Sequence, residues 1–447
     1  MALKRPFSSG LNASPRSQPI VGPSAPGGNL GNTNPASSGT VTSVTTTGRG
    51  ILAAPNPIVG AGTINGFDPN TFNVKDYGAV GDGSTDDFNA IQNNCIATAR
   101  ATLKPFCIYF PQGTYKCSQA LSIVLANTGQ AVCIKGDGPG VSQIYYSDPG
   151  SNGGLTINRA ASGGTYLTDA PFTCSDLGFI SNSAAGYPAL TLTMTGTDAQ
   201  NQGSLITRCT FYQATNGGST YFSYGIDILD WSQVNVTECT FNVLTAGIRV
   251  RGTNGATSGF GFSKNWHQGG SYGVKVDGTG ALANRIEGVW ITDCSFIDHT
   301  YAVWYKNTNA GGVLVVKGGQ MVPGTSGVGA CIHAEQIYQV SISGVAIAND
   351  GSGSGAWNGI ELGPGCNNAI VTGCQIIGAN GGSLTIQGVS VSNSSWAVVA
   401  GNSFGGFSGS NNVIMDNTCA KCNCSNNVSN GGSYTDNGTG DNFNNNL

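Results

Sequence analysis

The chain has 447 residues, of which 9% are charged and 69 are glycine, and its formal net charge is −4. Charged residues make up about 25% of ordinary domains and glycine about 7%, so this composition suits stacked turns around an apolar or small-residue interior. No apolar run near Met1 is long enough for a signal peptide and none anywhere approaches a membrane span, so synthesis in the cytosol is expected.

Residues 1–38 are rich in Pro, Ser, Gly and Asn without periodicity and read as an extended arm. GTVTSV from Gly39, GRGI from Gly48, PNPI from Pro55 and GAGTI from Gly60 follow. Residues 1–66 contain Lys4, Arg5, Arg16 and Arg49 with no acid, giving this arm +4 and the remainder −8. A basic arm on an acidic body suggests docking, and a solvated tail is the alternative.

Residues 72–116 then give a strand, an Asp/Gly turn, a capped helix, a second strand and a Pro-x-Gly turn. Ser84 or Thr85 is placed to cap the helix, with Asp86 and Asp87 in its first turn as caps rather than catalytic acids. Phe88, Ile91, Cys95 and Ala99 share one helical face, so the helix is expected to lie over the open end of a strand stack. Cys107 to Phe110 reads as a buried strand ended by Pro111 and Gly113.

The order of these pieces resembles the start of the pectate-lyase-like superfamily, which includes polysaccharide lyases, polygalacturonase-type hydrolases and many bacteriophage tailspikes. The series in residues 39–66 resembles a short module of phage tail-fibre proteins. The implied fold is all-β: a right-handed single-stranded parallel β-helix with an N-terminal capping helix and extended N- and C-terminal arms.

Beyond the lid the chain repeats. Seven segments align on a small residue followed by apolar-x-apolar alternation: YGIDI at Gly225, AGIRV at Gly247, YGVKV at Gly273, YAVWY at Ala302, ACIHA at Cys331, NGIEL at Gly359 and QGVSV at Gly388. Successive spacings of 22, 26, 29, 29, 28 and 29 residues predict one coil per repeat. A second register places Cys209, Cys239, Asn265, Cys294, Gly319, Val345, Cys374, Asn402 and Asn417 at one inward ladder position, where Asn bonds a neighbouring rung's backbone and Cys fills a small slot. The short step from 402 to 417 predicts the end of the stack. Residues 105–420 would then form about eleven rungs, roughly 50 Å long at about 4.8 Å per rung. The expected division is an arm and anchoring module at 1–66, the β-helix at 67–424 and an Asn/Gly-rich tail at 425–447.

Strand side chains alternate between core and solvent, so chemistry belongs on the outside of the coils. The seven segments stack Asp227, Arg249, Lys275, Trp304, His333, Glu361 and Ser390 in one outward column. Two residues on, a parallel column holds Leu229, Arg251, Asp277, Lys306, Glu335, Gly363 and Ser392. Carboxylates, cations and an aromatic ring on one face suit an extended glycan, with Asp227, Arg249, Lys275, Trp304, Lys306, His333 and Glu361 as binding residues and Tyr305 nearby. The plainer reading is that outward charges pair across rungs, as Asp227 with Arg249 or Asp277 with Lys306. Asp277 and Glu335, two rungs apart, are the candidate catalytic pair at about 9.6 Å, within reach of an inverting glycosidase; Glu361 beside His333 is the other candidate.

The Asn-Thr-Asp, Asp-Asp, Gly-His-Gly and Arg-Ile-Lys stretches of polygalacturonase-type enzymes are absent. The nearest echo of the last is the stretch at 284–287, which lacks the lysine. Cys419, Cys422 and Cys424 are too few for a closed zinc site, and no metal or cofactor is expected. Most of the fourteen cysteines should be buried thiols, with those near the C-terminus at the surface and able to crosslink subunits. Adjacent-rung cysteines, with parallel side chains, start poorly placed for a disulfide. No nucleic-acid motif appears. Together with the resemblance, these features imply a virion tail protein made in the host cytoplasm. It would dock on other virion tail proteins through its arm, assemble as a homotrimer and attach to a bacterial surface polysaccharide. An adhesin or structural part without chemistry competes with a polysaccharide depolymerase; a free pectinase-like enzyme is disfavoured.

Overall fold

The computed structural model describes residues 70–447 apart from 127–129, 148–153, 161–169, 183–185, 196–202, 214–221, 254–256, 279–285, 325–328, 349–356, 379–385 and 408–410. The arm at 1–66 lies outside the described residues. Three sheets of fourteen, thirteen and twelve strands run through the remainder. The chain visits first, second and third sheet in turn, and each strand pairs in parallel with its counterpart one lap later. This is the right-handed parallel β-helix.

The stack is longer than the spacings predict, roughly 60 Å for fourteen strands at about 4.8 Å each. Its first strand, Thr71–Asn73, lies beneath the lid. At the other end Asn417 sits in a turn, and the ladder position passes instead to Asn427, whose Oδ1 accepts from the Asn402 N–H at 3.0 Å. Strands Val428–Asn430, Ser433–Asp436 and Asn442–Asn444 pair onto the preceding lap. The expected end at Asn417 is therefore corrected: strand pairing continues into the Asn-rich residues beyond 424, because their backbones complete the ladder where side chains supply little core.

The lid helix begins later than its sequence signals suggest. Asp82–Asp86 is a strand, and the helix runs from Asn89 to Ile96 in wide π-type turns and on to Ala101 as an α-helix. Ser84 and Thr85 are not its caps; their N–H groups donate to Asp82 Oδ1. No side chain caps the helix; Asp86, at the end of the strand before it, accepts from the Phe88 N–H at 3.2 Å and from Ser118. Asp87 is buried and ties the Asp/Gly turn, accepting from the Val80 and Gly81 N–H groups at 2.7 and 3.0 Å. Burial raises its pKa, and those two bonds oppose the rise. Ile91, Cys95 and Ala99 are fully buried, so the helix covers the stack end with the expected face.

The corner between first and second sheets explains the ladder. From Ser175 to Ser425 each such connection is two residues long. The first lies at positive φ, as Arg208, Glu238, Lys264, Asp293, Gly318 and Gly344 do, which turns the chain sharply. The second points inward. There Asn265 accepts from the Cys239 N–H and donates to the Val236 carbonyl, both at 2.9 Å, joining neighbouring rungs. Asn402 repeats the arrangement with Cys374 and Val371. Every cysteine is a thiol, and Cys419, Cys422 and Cys424 are buried. The expectation of surface cysteines near the C-terminus is thus overturned, because their laps stay stacked.

Inside the second sheet, Phe179, Phe211, Phe241, His267 and Phe296 stack face to face on successive rungs, with centroids 4.6 to 5.1 Å apart. This stack explains the glycine that opens three of the repeats. A Cβ at Gly225 would collide with the Phe241 ring, at Gly247 with His267 and at Gly273 with Phe296. Where the stacked column continues as Met321 and Ile347, the opening residues are Ala302 and Cys331, while Gly359 faces Ile376.

Candidate functional site

The outward column of the third sheet is in the expected register. Asp227, Arg249, Lys275, Trp304, His333, Glu361 and Ser390 are partners on seven successive strands. The second column runs Leu229, Arg251, Asp277, Lys306 and Glu335, while Gly363 and Ser392 fall just beyond their strands.

The columns divide into two clusters. At one end Arg249 and Arg251 both grip Asp227 bidentately, at 2.7 to 2.8 Å and 2.6 to 3.1 Å. Asp227 is thereby covered, and the Arg249 guanidinium lies 3.6 Å over the Tyr224 ring. Two guanidiniums on one carboxylate leave a net positive charge.

The other cluster centres on His333. Its Nδ1 is 3.0 Å from Glu361 Oε2, its Nε2 is 3.6 Å from Glu335 Oε2, and its ring stacks on Trp304 at 5.9 Å. Tyr301 meets the imidazole edge-on at 5.9 Å. The hydrogen bond with His333 holds the Glu361 carboxyl below the usual carboxylate range, against the opposing effect of burial. Lys306 Nζ lies 2.8 Å from Glu335 Oε1, and Lys275 lies over both the Tyr272 and Trp304 rings.

The expected pairing of Asp227 with Arg249 is present. That of Asp277 with Lys306 is not: Lys306 turns to Glu335, and the nearest cation to Asp277 is Lys275 on its own strand, at 3.9 Å. Lys306 occupies the rung between Asp277 and Glu335, so each candidate acid is associated with a different lysine. Tyr305 is not on the face; it is buried, with its hydroxyl donating to the Ile286 carbonyl. The tyrosines that do border the face are Tyr224, Tyr272 and Tyr301, in one register with Ala246. Their signal was the residue just before each repeat's small residue. Among the described residues no group of three or more His, Cys, Asp or Glu is placed to hold a metal ion, and no helix is long and apolar enough to cross a membrane.

In chemical terms the face offers flat rings, anchored cations and carboxylates in a straight row, with an imidazole between two acids. Such a surface can stack on rings and hydrogen-bond hydroxyls along an extended ligand.

Comparison with known proteins agrees with the fold. The structure of DFA-IIIase from Arthrobacter chlorophenolicus A6 in complex with GF2 superposes with a TM-score of 0.55 at 14% identity, over 80% of this chain and 94% of that one. Tailspike protein 3 of bacteriophage CBA120 gives 0.51 at 15% identity, over 83% of this chain and 56% of that one. At these identities the likeness is one of fold. The plasmin and fibronectin-binding protein A of Streptococcus pneumoniae is 51% identical over 49 residues, 11% of this chain, which spans only 7% of that curated relative's length. Rhamnogalacturonase A/epimerase, pectate lyase-like, is the family matched by residues 71–294, half of the sequence. With that match and three parallel sheets wound lap upon lap, the chain belongs to the rhamnogalacturonase A/epimerase, pectate lyase-like family.

Proposed function

We propose that the outer face of the third sheet binds a bacterial surface polysaccharide, and that the chain is a tail-associated protein of a bacteriophage virion. The observation that carries the glycan reading is the row Lys275, Trp304, His333 and Glu361 on adjacent rungs, with Trp304 stacked on His333 and beneath Lys275. Support for the virion reading is the fold shared with a phage tailspike, together with the basic arm at 1–66, which would dock on other tail proteins. On this reading the protein is a homotrimer made in the host cytoplasm.

Whether the glycan is also cut divides two readings. Asp277 and Glu335 are the proposed acids of a depolymerase, while a structural virion part would bind without cleaving. The test is incubation of purified protein with capsule or lipopolysaccharide from candidate hosts, scoring retention and chain shortening. Trp304→Ala is expected to weaken retention about fivefold, since ring stacking of this kind contributes on the order of 1 kcal/mol. Asp277→Asn and Glu335→Gln are expected to stop shortening while retention persists; full cleavage by both variants removes the catalytic assignment. Retention without shortening in the unaltered protein favours the adhesin, and no retention on any glycan defeats the proposal.

A further inference from the structure

Twelve of the fourteen cysteines are buried, and the two that are not, Cys107 and Cys133, are direct neighbours. They point outward from adjacent parallel strands of the first sheet, far in sequence from the charged columns. The Cys107 and Cys133 sulfurs are in direct contact. Both line a shallow groove of about 260 Å³ with Asn70, Pro105, Pro171 and Thr173, so a small molecule can reach them. Thr173 is the next partner below Cys133 in the same column.

We propose that Cys107 and Cys133 form a thiol–disulfide exchange site that takes small soluble disulfides. Cys133 is the attacking sulfur. The Cys107 thiol in contact with it holds its pKa below the ordinary thiol range, with further lowering from Thr173 and the Lys135 ammonium and opposition from burial. The thiolate is the nucleophile, and only Cys107 and Cys133 are not buried, so exposure together with this environment selects Cys133 over the inward cysteines. In the first step its sulfur bonds to one sulfur of R–S–S–R, the S–S bond breaks, and one RS⁻ departs and takes a proton. In the second, the Cys107 sulfur loses its proton, attacks Cys133 Sγ and expels the second thiol. The protein pair is oxidised by two electrons and the small disulfide is reduced to two RSH. Neighbouring strands put the two Cα atoms about 4.8 Å apart, inside the range a disulfide spans. Their parallel side chains make the closing torsion the slower step, so the mixed disulfide accumulates first.

The test uses the full folded chain with glutathione disulfide, followed by peptide mass mapping. The expected result is a glutathione adduct on Cys133, then a Cys107–Cys133 disulfide, with the twelve inward thiols unmodified. Cys107→Ser is expected to trap the adduct and lengthen its lifetime on the order of tenfold or more, since the resolving thiol is gone. Adducts spread over the inward cysteines, or no adduct on Cys133, overturn the proposal, as does an unchanged lifetime in Cys107→Ser. If that variant does not fold, iodoacetamide on the unaltered protein decides: Cys133 should be alkylated on the order of tenfold faster at neutral pH than Cys107, and equal rates overturn it.

Discussion

Arg208, Glu238, Lys264 and Asp293 hold φ between +50° and +57° at the corner that four later laps give to glycine, at 318, 344, 373 and 401. Side chains with a Cβ pay about 1 to 2 kcal/mol in that region, partly offset by the greater freedom an unfolded glycine loses. Lys264→Gly is therefore expected to raise stability by about 0.5 to 1 kcal/mol, read as a higher denaturant midpoint at unchanged slope. The inward partner of this corner was legible from residue type alone, because Asn and Cys recur at coil spacing. The positive φ was not, since Arg, Glu and Lys carry no turn signal. The same limit displaced Tyr305: alternation places Trp304 outward and its neighbour inward, and the bordering tyrosines lie three residues earlier, before the small residue.

At the scale of the element, the aromatic stack and the glycines at 225, 247 and 273 form one device. Gly273→Ala would push a methyl into the Phe296 ring and is expected to cost about 1 to 3 kcal/mol, as overpacking does. A thermal melt checks it. His267 is the irregular member: fully buried, its ring nitrogens without hydrogen-bond partners, between Phe241 and Phe296. His267→Phe keeps the stack and removes two unsatisfied nitrogens, so it should stabilise by about 1 kcal/mol or more. The lid shows what local signals miss. Ser84 and Thr85 have good capping chemistry, but Asp82 claims their N–H groups for a turn, and the helix starts only at Asn89. The covering face was correctly read because burial depends on spacing, which survives a shift of the start.

For the whole molecule, pH dependence should follow the buried imidazoles. Burial depresses the folded pKa of His267 far below its ordinary value, and that of His299 to about 4. The unfolded chain takes up these protons near pH 6.5 and the fold does not, so stability is full above that pH and falls as it drops toward 4. The slope is at most about 1.4 kcal/mol per pH unit for each imidazole. His267→Phe should reduce it; an unchanged slope in urea melts across this window would show that these histidines are not its source. The lap count illustrates how far periodicity carries. Spacing identified the coil and the outward column, while the final lap escaped because its step of 25 residues, from Asn402 to Asn427, hid behind an earlier asparagine in a turn.

The two-residue hinge that recurs beside the second sheet from Ser175 to Ser425 has a bearing on how such a chain could be remodelled. With every lap in that stretch clamped there, added length can enter it only at the other two seams, where strands are separated by connections as unequal as 269–271 and 308–312. Both of those seams flank the third sheet. New loops would therefore sprout as walls along its row of charges and rings, and ligand preference could drift without loosening the column that carries it.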